Sequence, residues 1–403
     1  MRPDGFALLH LVLTRACNLR CAYCYQRRGS PGRMGPATLE RALDWALAAG
    51  RPGCEVVFSG GEPLLEFARI RRAVARAPTL RFVLLTNGIL LDDRAIDFCA
   101  RHAFDLQVSW DGVAQETRAP GTSAVLAGRL RRLLDGWRAY TREHLTVALT
   151  VTPRAAGRLA ESIALLMEIG VPWIALAPEL APGDAADADL AAQFDRLEEM
   201  SRARFDLDRS VPLLLLRPGA PPSACSPLCG AAHALQPAVD VDGRIYGCAL
   251  LVEPLLARAA PWMRAELQRL AIGSIDDPTL GRRVEEFTAR AARSPLLGAR
   301  EKRHTDRGRC AECEWAASCA VCPVAAGLLA GNRDPSRLPV FPCDFARAAL
   351  RARARFLAAR PPDPMARFLG VAELPPALRR VKAFVDAARG GSERSLANRG
   401  PER

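Results

Sequence analysis

The chain has 403 residues, of which 49% are hydrophobic, a length and composition that suit two domains with buried cores. No stretch approaches 18 consecutive apolar residues and the first residues lack a signal-peptide pattern, so we expect a cytoplasmic protein without a membrane span. The net charge is +12. Because no nucleic-acid module or basic repeat accompanies this charge, DNA and RNA are not expected as partners.

Apolar, β-rich runs alternate with helical patterns before residue 180. Strands are predicted at 8–14, 55–59, 81–86, 105–109, 146–151 and 173–177, and helices at 36–49, 66–77, 92–102, 123–144 and 157–169. Alternation of this kind predicts a parallel sheet covered by helices. Six such units are too few for a closed eightfold barrel. The expected α/β fold is therefore an open, partial (β/α)6 barrel of the TIM type, followed by a small cysteine-rich domain.

Three cysteines follow the first predicted strand: Cys17, Cys21 and Cys24, in the run Thr-Arg-Ala-Cys-Asn-Leu-Arg-Cys-Ala-Tyr-Cys-Tyr. Three thiolates can hold a cubane iron-sulfur cluster and leave one iron without a protein ligand, whereas a cluster that only carries electrons is normally closed by a fourth Cys. The open iron is therefore expected to be a reaction site, by analogy with open catalytic zinc sites. The alternative is a zinc knuckle that lacks a ligand. It is disfavoured because no His is close enough to complete it.

A second motif follows the second predicted strand. Val56 to Phe58 lead into Ser59-Gly60-Gly61-Glu62-Pro63, which predicts a short buried strand, a glycine turn and a carboxylate. Glycines here would let the backbone approach a bound ligand, and the carboxylate suits a ligand ammonium group. Alone, the sequence would be an ordinary turn. Its place one strand after the cysteines gives it functional weight.

Polar residues also follow the third and fourth predicted strands. Asn87 lies in Thr86-Asn87-Gly88, and Ser109 and Asp111 lie in Ser109-Trp110-Asp111-Gly112. In parallel α/β barrels the chemistry collects on the loops at the carboxyl ends of the strands. The alternative is that Asn87, Ser109 and Asp111 are turn residues that satisfy local backbone groups.

The composition changes after a Pro-, Gly- and Asp-rich bridge at 177–189, a helix predicted at 190–205 and a short strand predicted at 211–216. Eight cysteines, enough for two sets of four, then follow: Cys225, Cys229, Cys248, Cys310, Cys313, Cys319, Cys322 and Cys343. A zinc ribbon on Cys310, Cys313, Cys319 and Cys322 is one interpretation of the last group. Cys54 and Cys99 fit no such pattern and are expected to be small buried apolar residues.

The predicted domain boundaries follow from these changes in composition. Residues 1–185 form the partial barrel, 186–221 a bridging helix and strand, 222–350 the cysteine-rich domain, and 351–403 a basic helical tail. The tail contains an amphipathic helix predicted at 376–388 and a polar end that is expected to be disordered.

The first cysteine motif, CxxxCxφC with Tyr23 as the aromatic residue, resembles that of the radical S-adenosylmethionine (SAM) enzymes. The resemblance implies that the amino and carboxylate groups of SAM chelate the open iron, that Tyr23 lies near the adenine, and that the Gly-Gly-Glu element holds the SAM amino group. The full set of residues that it implies as SAM contacts is Tyr23, Ser59, Gly60, Gly61, Glu62, Asn87, Ser109 and Asp111.

The cysteine-rich half resembles the SPASM extension of such enzymes, which carries two auxiliary 4Fe-4S clusters. By the ligand crossover of that family, Cys225, Cys229, Cys248 and Cys322 would hold the inner cluster. The outer cluster would be held by Cys310, Cys313, Cys319 and Cys343. Both sites would then be closed, and with the SAM-binding cluster the chain would hold three 4Fe-4S clusters. One departure concerns Cys322: two residues separate it from Cys319, where the family usually has three.

The resemblance implies reductive cleavage of SAM to methionine and a 5′-deoxyadenosyl radical, which abstracts hydrogen from a residue of a ribosomally made peptide or protein. One alternative is dehydrogenation of a small alcohol or amino sugar. Another is formylglycine formation, which is disfavoured because sulfatase maturases place an acidic base directly after the third auxiliary Cys, where this chain has Cys248-Ala249. The non-catalytic alternative is a three-cluster electron carrier. No general base can be identified by spacing.

The implied partners are a peptide or protein substrate and an electron donor such as flavodoxin or ferredoxin. Many peptide maturases carry a leader-binding domain before the barrel, but the first predicted strand begins near residue 8. We therefore expect leader recognition to need a separate partner protein or the C-terminal region.

Overall fold

The computed structural model of the chain describes residues 5–24, 26, 32–180, 189–208, 210–217, 231, 234–253, 259–297 and 302–359. Three predicted features lie wholly or partly outside these residues. They are the cysteines Cys225 and Cys229, most of the Pro-, Gly- and Asp-rich bridge, and the part of the predicted tail after residue 359. None of the described helices has the length and apolar character that crossing a bilayer requires.

The strands alternate with helices over the first half of the chain, as predicted. They are β1 (Phe6–Thr14), β2 (Gly50–Gly60), β3 (Arg81–Thr86), β4 (Asp105–Ser109), β5 (Leu145–Val151), β6 (Ile174–Pro178), β7 (Ala238–Val239), β8 (Arg244–Tyr246), β9 (Ala271–Ser274), β10 (His304–Thr305) and β11 (Gly308–Arg309). The bounds of β3 and β4 coincide with those predicted, and β2 begins earlier, at Gly50.

The helices cover the sheet and continue into the cysteine-rich half. They are α1 (Pro36–Ala49), α2 (Phe67–Arg76), α3 (Asp93–Arg101), α4 (Gln115–Arg118), α5 (Ser123–Gly136), α6 (Arg138–His144), α7 (Leu159–Ile169), α8 (Leu190–Asp208), α9 (Pro261–Arg269), α10 (Leu280–Ala292) and α11 (Val340–Ala358). Short 3-10 helices occupy Pro63–Glu66, Gly112–Ala114, Ala156–Arg158, Leu214–Leu216, Ala249–Leu251, Cys310–Glu312 and Pro323–Leu328. Helix α1 has the predicted bounds, with Pro36 in its first turn, where proline is favoured.

The single helix predicted at 123–144 is wrong, because the chain breaks it at Trp137 into α5 and α6. Trp137 has φ −129° and ψ 46°, and its indole Nε1 donates a hydrogen bond of 2.9 Å to Asp97 of α3. Gly136, which precedes it, has a low helix propensity. The break therefore combines a weak helix former with a side-chain contact that a period count cannot reveal.

The strand predicted at 211–216 is also wrong. Only Leu213 forms a bridge, to Ile174 of β6, and the next three residues form the 3-10 helix Leu214–Leu216. Pro212 accepts a hydrogen bond from Ile174 through its carbonyl oxygen but has no N–H to donate to a ladder. The segment therefore touches the edge of the sheet without extending it.

Strands β1 to β9 form one sheet in the order β6-β5-β4-β3-β2-β1-β7-β8-β9. Neighbours from β6 to β7 are parallel, and β8 and β9 are antiparallel to the strands beside them. In the described part of the chain β6 and β9 lie at opposite edges of an open sheet, which confirms the expected partial barrel. No strand was expected at β7 to β9, which attach the cysteine-rich half of the chain directly to β1.

One face of the parallel sheet packs under the helices and is apolar. Its core includes the rings of Phe58, Phe82 and Phe104, whose centroids lie 5.4 to 6.2 Å apart. The backbone alternates side chains between the two faces of a strand, so the residues between these apolar positions point to the opposite face.

That opposite face, here called the polar face, combines small and polar residues. The pairs Val12–Ser59 and Gln107–Thr146 are in register across it, which places their side chains on one side of the sheet. Three of its buried polar atoms, Nδ1 of His10, Oγ of Ser59 and Oγ1 of Thr146, have no hydrogen-bond partner among the described residues. Since buried polar groups normally have partners, this face is suited to meet a polar ligand or water. The polar residues of this face include His10, Glu55, Ser59, Asp105, Gln107, Ser109, Thr146 and Thr150.

Helix α11 returns from the cysteine-rich half to pack against α8. The rings of Phe194 and Phe345 meet edge to face with centroids 5.2 Å apart, and Arg355 donates a hydrogen bond of 2.7 Å to Glu198. Both ends of the cysteine-rich half are therefore held by the barrel, at β7 and at α11.

Candidate active site

The cysteine loop, residues 15–24, leaves β1 at the carboxyl edge of the parallel sheet. Its first residue, Arg15, has a side chain only 5% exposed and forms ion pairs of 2.8 Å with Asp240 and 2.6 Å with Glu253. Asp240 directly follows β7, and its side chain is fully buried. The loop is therefore fixed at its start by a buried ion pair to the cysteine-rich half of the chain.

The three thiols of this loop lie together. Cys17 is exposed, Cys21 is 9% exposed and Cys24 is half-buried. Partial desolvation of the sulfur raises the pKa of the Cys17 thiol, and the nearby charges of Glu62, Cys21 and Cys24 also raise it because they repel a negative charge there. The structure thus gathers three candidate metal ligands in one place, and their ligation of iron stays a prediction.

The glycines after β2 hold the backbone against the cysteine loop. The N–H of Gly61 donates to the carbonyl oxygen of Thr14 and the N–H of Glu62 to that of Ala16, both at 2.8 Å. A Cβ on Gly61 would lie 2.0 Å from the oxygen of Ala16, and Gly60 adopts a φ of +127°. In the described chain the backbone at these glycines therefore lies against the end of β1 and the start of the cysteine loop. Its approach to a ligand stays a prediction.

Glu62 is completely buried and its carboxylate accepts hydrogen bonds from protein donors. These are the N–H of Leu64 at 3.1 Å, the hydroxyl of Thr86 at 2.8 Å and the N–H of Asn87 at 2.8 Å. Burial raises the pKa of Glu62, while these donors favour the charged form. Glu62 ties the loop after β2 to the loop after β3, and its predicted contact with the SAM amino group stays a prediction.

Asn87 brings the loop after β3 to the cysteines. Its side-chain amide lies 3.6 Å from the sulfur of Cys17 and donates a hydrogen bond of 2.8 Å to the side-chain oxygen of Asn18. Its own Oδ1 accepts from the N–H of Ile89 at 3.0 Å, so it also satisfies local backbone. Both interpretations of Asn87, as a turn residue and as a site residue, therefore fit its contacts.

Tyr23 and Asp111 form a buried pair. The Tyr23 hydroxyl donates a hydrogen bond of 2.5 Å to Oδ2 of Asp111, and the N–H of Thr150 donates to Oδ1 at 3.0 Å. Asp111 is 2% exposed, and burial raises its pKa. Burial and the adjacent carboxylate both raise the pKa of Tyr23, so the phenol stays protonated. Asp111 thus joins the cysteine loop to β5.

Arg118 is a site residue that the sequence patterns did not indicate. It lies in α4, is 8% exposed, and donates a hydrogen bond from Nε to the sulfur of Cys21 at 3.3 Å. Its guanidinium also lies 5.8 Å from the ring centroid of Tyr23 and 3.7 Å from Asp111. The contacts of Arg118 with Cys21 and Tyr23 join parts of the chain that are about a hundred residues apart. The only local signal of Arg118 was its place shortly after β4.

A cavity of 430 Å³ opens beside these residues at the carboxyl ends of β4, β5 and β6. Of the described residues predicted to contact SAM, Tyr23 and Asp111 line it, whereas Ser59, Glu62, Asn87 and Ser109 do not. Its wall also carries Arg118, Thr150, Arg154 and Glu179, which bring charges of both signs. A larger cavity of 620 Å³ lies on the helical side near Phe82, away from the cysteines, and offers no comparable chemistry.

A second group of cysteines lies in the C-terminal half. Cys310, Cys313, Cys319 and Cys343 line one cavity of 230 Å³. Burial raises the pKa of Cys310, and the thiolates of the other three residues raise it further, so all four lie near one another. Residues Val321, Leu338 and Ala346 supply apolar surface at this cavity.

The remaining described cysteines divide from this group. Cys248 and Cys322 pack against the main hydrophobic core, whereas Cys310 and Cys319 pack against the small apolar cluster around Val321. The two ligand sets that the resemblance implied stay a prediction, and Cys225 and Cys229 of the inner set lie outside the described residues. Cys54 and Cys99 are buried as expected, and burial raises the pKa of each thiol to about 12.

Among the described residues, no group of three or more His, Cys, Asp or Glu side chains has the geometry of a metal-ion site. The zinc ribbon and the 4Fe-4S clusters therefore both stay predictions.

Comparison with known sequences finds similar proteins for part of the chain. The Radical SAM superfamily matches residues 11–153. A GTP 3′,8-cyclase from Mycobacterium marinum is 38% identical over 138 residues, which are 32% of this chain and 37% of the relative. A pre-heme d1 synthase from Dinoroseobacter shibae is 33% identical over 168 residues, 40% of each protein. The matches therefore span less than half of these relatives.

Solved structures resemble the chain over most of its length. The structure of anSMEcpe with bound AdoMet and Cp18Cys peptide has a TM-score of 0.65 at 17% identity, and covers 88% of this chain and 99% of that one. Streptococcus suis SuiB bound to precursor peptide SuiA has a TM-score of 0.56 at 14% identity, with 84% and 76% covered. At these identities the likeness establishes the fold.

The sequence match, the fold and the gathered cysteines agree on the same part of the molecule. The matched residues 11–153 contain the cysteine loop, the Gly-Gly-Glu turn and the Tyr23–Asp111 pair. Residues 11–153, which contain the candidate site, are therefore similar to the Radical SAM superfamily.

Proposed function

We propose that this enzyme cleaves SAM reductively at a 4Fe-4S cluster held by Cys17, Cys21 and Cys24, and oxidatively modifies a residue of a ribosomally made peptide or protein. The observation that carries the proposal is the gathering of these thiols, with Cys17 exposed, at the carboxyl edge of the parallel sheet. This is the edge at which barrel enzymes collect their chemistry. Three thiolates would leave one iron open to a ligand.

The residues around the thiols suit such a group. When bound, the cluster would supply the electron that breaks the sulfonium carbon–sulfur bond of SAM. Asn87 and Arg118 present N–H donors to the sulfurs of Cys17 and Cys21, which stabilises thiolate charge. The glycine turn keeps the loop in place through its bonds to Thr14 and Ala16.

The 430 Å³ cavity is the proposed place for SAM. Tyr23 and Asp111 give it a rigid wall beside the cysteine loop, because each is held by the hydrogen bond to the other. Arg118, Arg154 and Glu179 provide the opposite charges that the amino acid part of SAM requires. Holding the ligand here fixes the reacting bond relative to the cysteine loop, which is the protein's main contribution to such chemistry.

Two auxiliary 4Fe-4S clusters complete the proposal. The group of Cys310, Cys313, Cys319 and Cys343 has the four thiols that a closed cluster needs, around one cavity with apolar neighbours. Cys248 and Cys322 would serve the inner cluster together with Cys225 and Cys229. Closed clusters cannot bind substrate without losing a ligand, so their proposed role is electron transfer with the substrate radical.

A peptide substrate is favoured by the structural neighbours, since anSMEcpe and SuiB were each solved with a bound peptide. The polar face also leaves three buried polar atoms without partners, which a polar group of a substrate could satisfy. The proposed partners are therefore this peptide or protein, an electron donor such as flavodoxin or ferredoxin, and a separate leader-binding protein, in the cytoplasm.

A nucleotide substrate is the second candidate. It is favoured by the identity to GTP 3′,8-cyclases, which reaches 38% over 138 residues. That match covers 32% of this chain, and the Radical SAM superfamily match ends at residue 153, before the C-terminal cysteine group. Incubation of the reduced enzyme with SAM and GTP separates the two, because a peptide-modifying enzyme should leave GTP unchanged.

The test of SAM cleavage is anaerobic reconstitution with iron and sulfide, followed by an assay for 5′-deoxyadenosine with SAM and dithionite. We expect about twelve iron atoms per chain, the sum of three cubanes. An electron carrier would produce no 5′-deoxyadenosine. The product of a small open reading frame beside the gene should change in mass, and the change should depend on Cys17, Cys21 and Cys24.

A further inference from the structure

Arg118 reaches a candidate cluster ligand from a distant part of the chain. Its carbonyl oxygen accepts a hydrogen bond of 3.2 Å from the N–H of Ala22, so its backbone is fixed against the cysteine loop. Its Nε then donates to the sulfur of Cys21 at 3.3 Å. Two contacts, one of the main chain and one of the side chain, therefore set Arg118 directly beside this thiol.

The positive charge of Arg118 is only partly compensated by protein groups. Asp111 approaches the guanidinium to 3.7 Å, which is too long for a hydrogen bond, and the buried carboxylate of Glu62 interacts with it at longer range. Asp111 already accepts from the Tyr23 hydroxyl and the Thr150 N–H. Nη1 of Arg118 is buried and has no hydrogen-bond partner among the described residues.

A buried cation with spare donors beside a sulfur has a defined effect on an iron-sulfur cluster. Reduction adds one negative charge to the cluster, and a nearby positive charge or a hydrogen bond to sulfur stabilises the reduced form. In a buried site this charge is screened much less than at the surface. Arg118 is 8% exposed.

The geometry points to Arg118 as a positioning residue that makes the cluster on Cys17, Cys21 and Cys24 easier to reduce, an inference that rests on the proposed function. The contacts argue against a merely structural ion pair, because Nε faces the sulfur of Cys21 and not the carboxylate of Asp111. The co-reactant is the one-electron donor that the proposed reaction already needs.

The test is an anaerobic redox titration of the reconstituted full-length enzyme, followed by electron paramagnetic resonance without SAM. The signal of this cluster is the one absent from Cys21→Ala. Arg118→Gln should lower the ratio of reduced to oxidised cluster about tenfold at a fixed potential, a shift of about 59 mV to more negative values. Arg118→Lys keeps the charge but loses the Nε donor, and should shift in the same direction by less.

Arg132→Gln is the control, because Arg132 is an exposed arginine that pairs with Asp93 and does not line the 430 Å³ cavity. Its potential should equal that of the wild type. With ¹⁵N-labelled arginine, the reduced cluster should show a nitrogen coupling that Arg118→Lys loses.

An unchanged potential in Arg118→Gln with full iron content overturns the inference and leaves the proposed function intact. If that variant does not retain the cluster, Arg118→Lys decides, and an unchanged potential there overturns the inference equally. A wild-type enzyme without any signal that depends on Cys21 overturns the proposed function itself.

Discussion

The chain carries two groups of neighbouring cysteines whose surroundings differ. The cysteine loop has three thiols, a cavity beside it that Tyr23 and Asp111 line, and hydrogen-bond donors directed at two of its sulfurs. The C-terminal group has four thiols around one cavity, which is lined by apolar residues and by the arginines Arg303, Arg307, Arg309 and Arg347. The first group therefore lacks the fourth thiol that a closed 4Fe-4S cluster needs, whereas the second has it.

This contrast follows from where each group lies in the fold. The cysteine loop stands at the carboxyl edge of a parallel sheet, where loops after β2, β3 and β4 all reach it. The C-terminal group is formed by short local turns and by the start of α11, away from that edge. The two groups therefore differ in their place in the fold as well as in their number of thiols.

The largest expected effect is that of Cys21→Ala. It should lower 5′-deoxyadenosine formation to background and reduce the iron content by about four of twelve atoms, because one of three ligands of the open cluster is lost. Iron counting and a chromatographic assay for 5′-deoxyadenosine measure both quantities.

Cys54→Ala is the control for this variant, since Cys54 is a buried thiol outside both groups. It should keep full iron and SAM cleavage. Normal SAM cleavage by Cys21→Ala would contradict the assignment of the cysteine loop as the reactive site.

Cys343→Ala should have the second largest effect and separate the two groups. It removes one of four thiols from the C-terminal cavity, so iron should fall by about four atoms while SAM cleavage continues. Formation of modified peptide should fall much further than formation of 5′-deoxyadenosine. Equal loss of both activities would mean that the two groups do not act separately.

Much of the fold could be predicted because its signals are local. The apolar runs that became β3 and β4 are bounded by turn residues, and Pro36 marks the first turn of α1. Strands β7 and β8 have two and three residues, too short for a period to register. The break at Trp137 depends on Asp97 of another helix.

Part of the candidate site could likewise be predicted from the sequence, and part could not. The cysteines, Tyr23 and Asp111 could be selected from motifs, because each follows a predicted strand. Arg118 could not, since its place at the site depends on a contact with Cys21 across 97 positions of the chain. The polar atoms of His10 and Thr146 also became visible only when the register of the sheet was known.

His10 allows a pH test of the polar face. Burial lowers its pKa from 6.5 to about 4, so between these values the unfolded chain binds a proton that the folded chain does not. The free energy of unfolding should therefore fall as the pH drops from 7 to 5. The loss should approach at most about 3 kcal/mol near pH 4. Urea unfolding without metal should show that His10→Asn removes this part of the pH dependence, and an unaltered profile would contradict it.

Tyr23→Phe tests the polar support of the cysteine loop. It removes the hydroxyl that donates to the buried Asp111, so we expect a loss of about 1–3 kcal/mol in the free energy of unfolding. Tyr140→Phe is the matched control, because its hydroxyl donates to the neutral carbonyl oxygen of Phe104 at 2.7 Å. Urea titration should rank Tyr23→Phe as the more destabilised variant, and the reverse order would contradict a charge-assisted bond.

Thr305→Val should have the smallest effect of the five. The Thr305 hydroxyl lies 3.8 Å from the sulfur of Cys343, a long contact at a cavity that both residues line. Because a weak donor is replaced by a methyl group of similar size, we expect a change of less than about 1 kcal/mol in unfolding free energy and no loss of iron. If this variant instead lost four iron atoms, the C-terminal group would depend on polar contacts as strongly as the cysteine loop does. The difference between the two regions would then lie in the number of thiols and not in their surroundings.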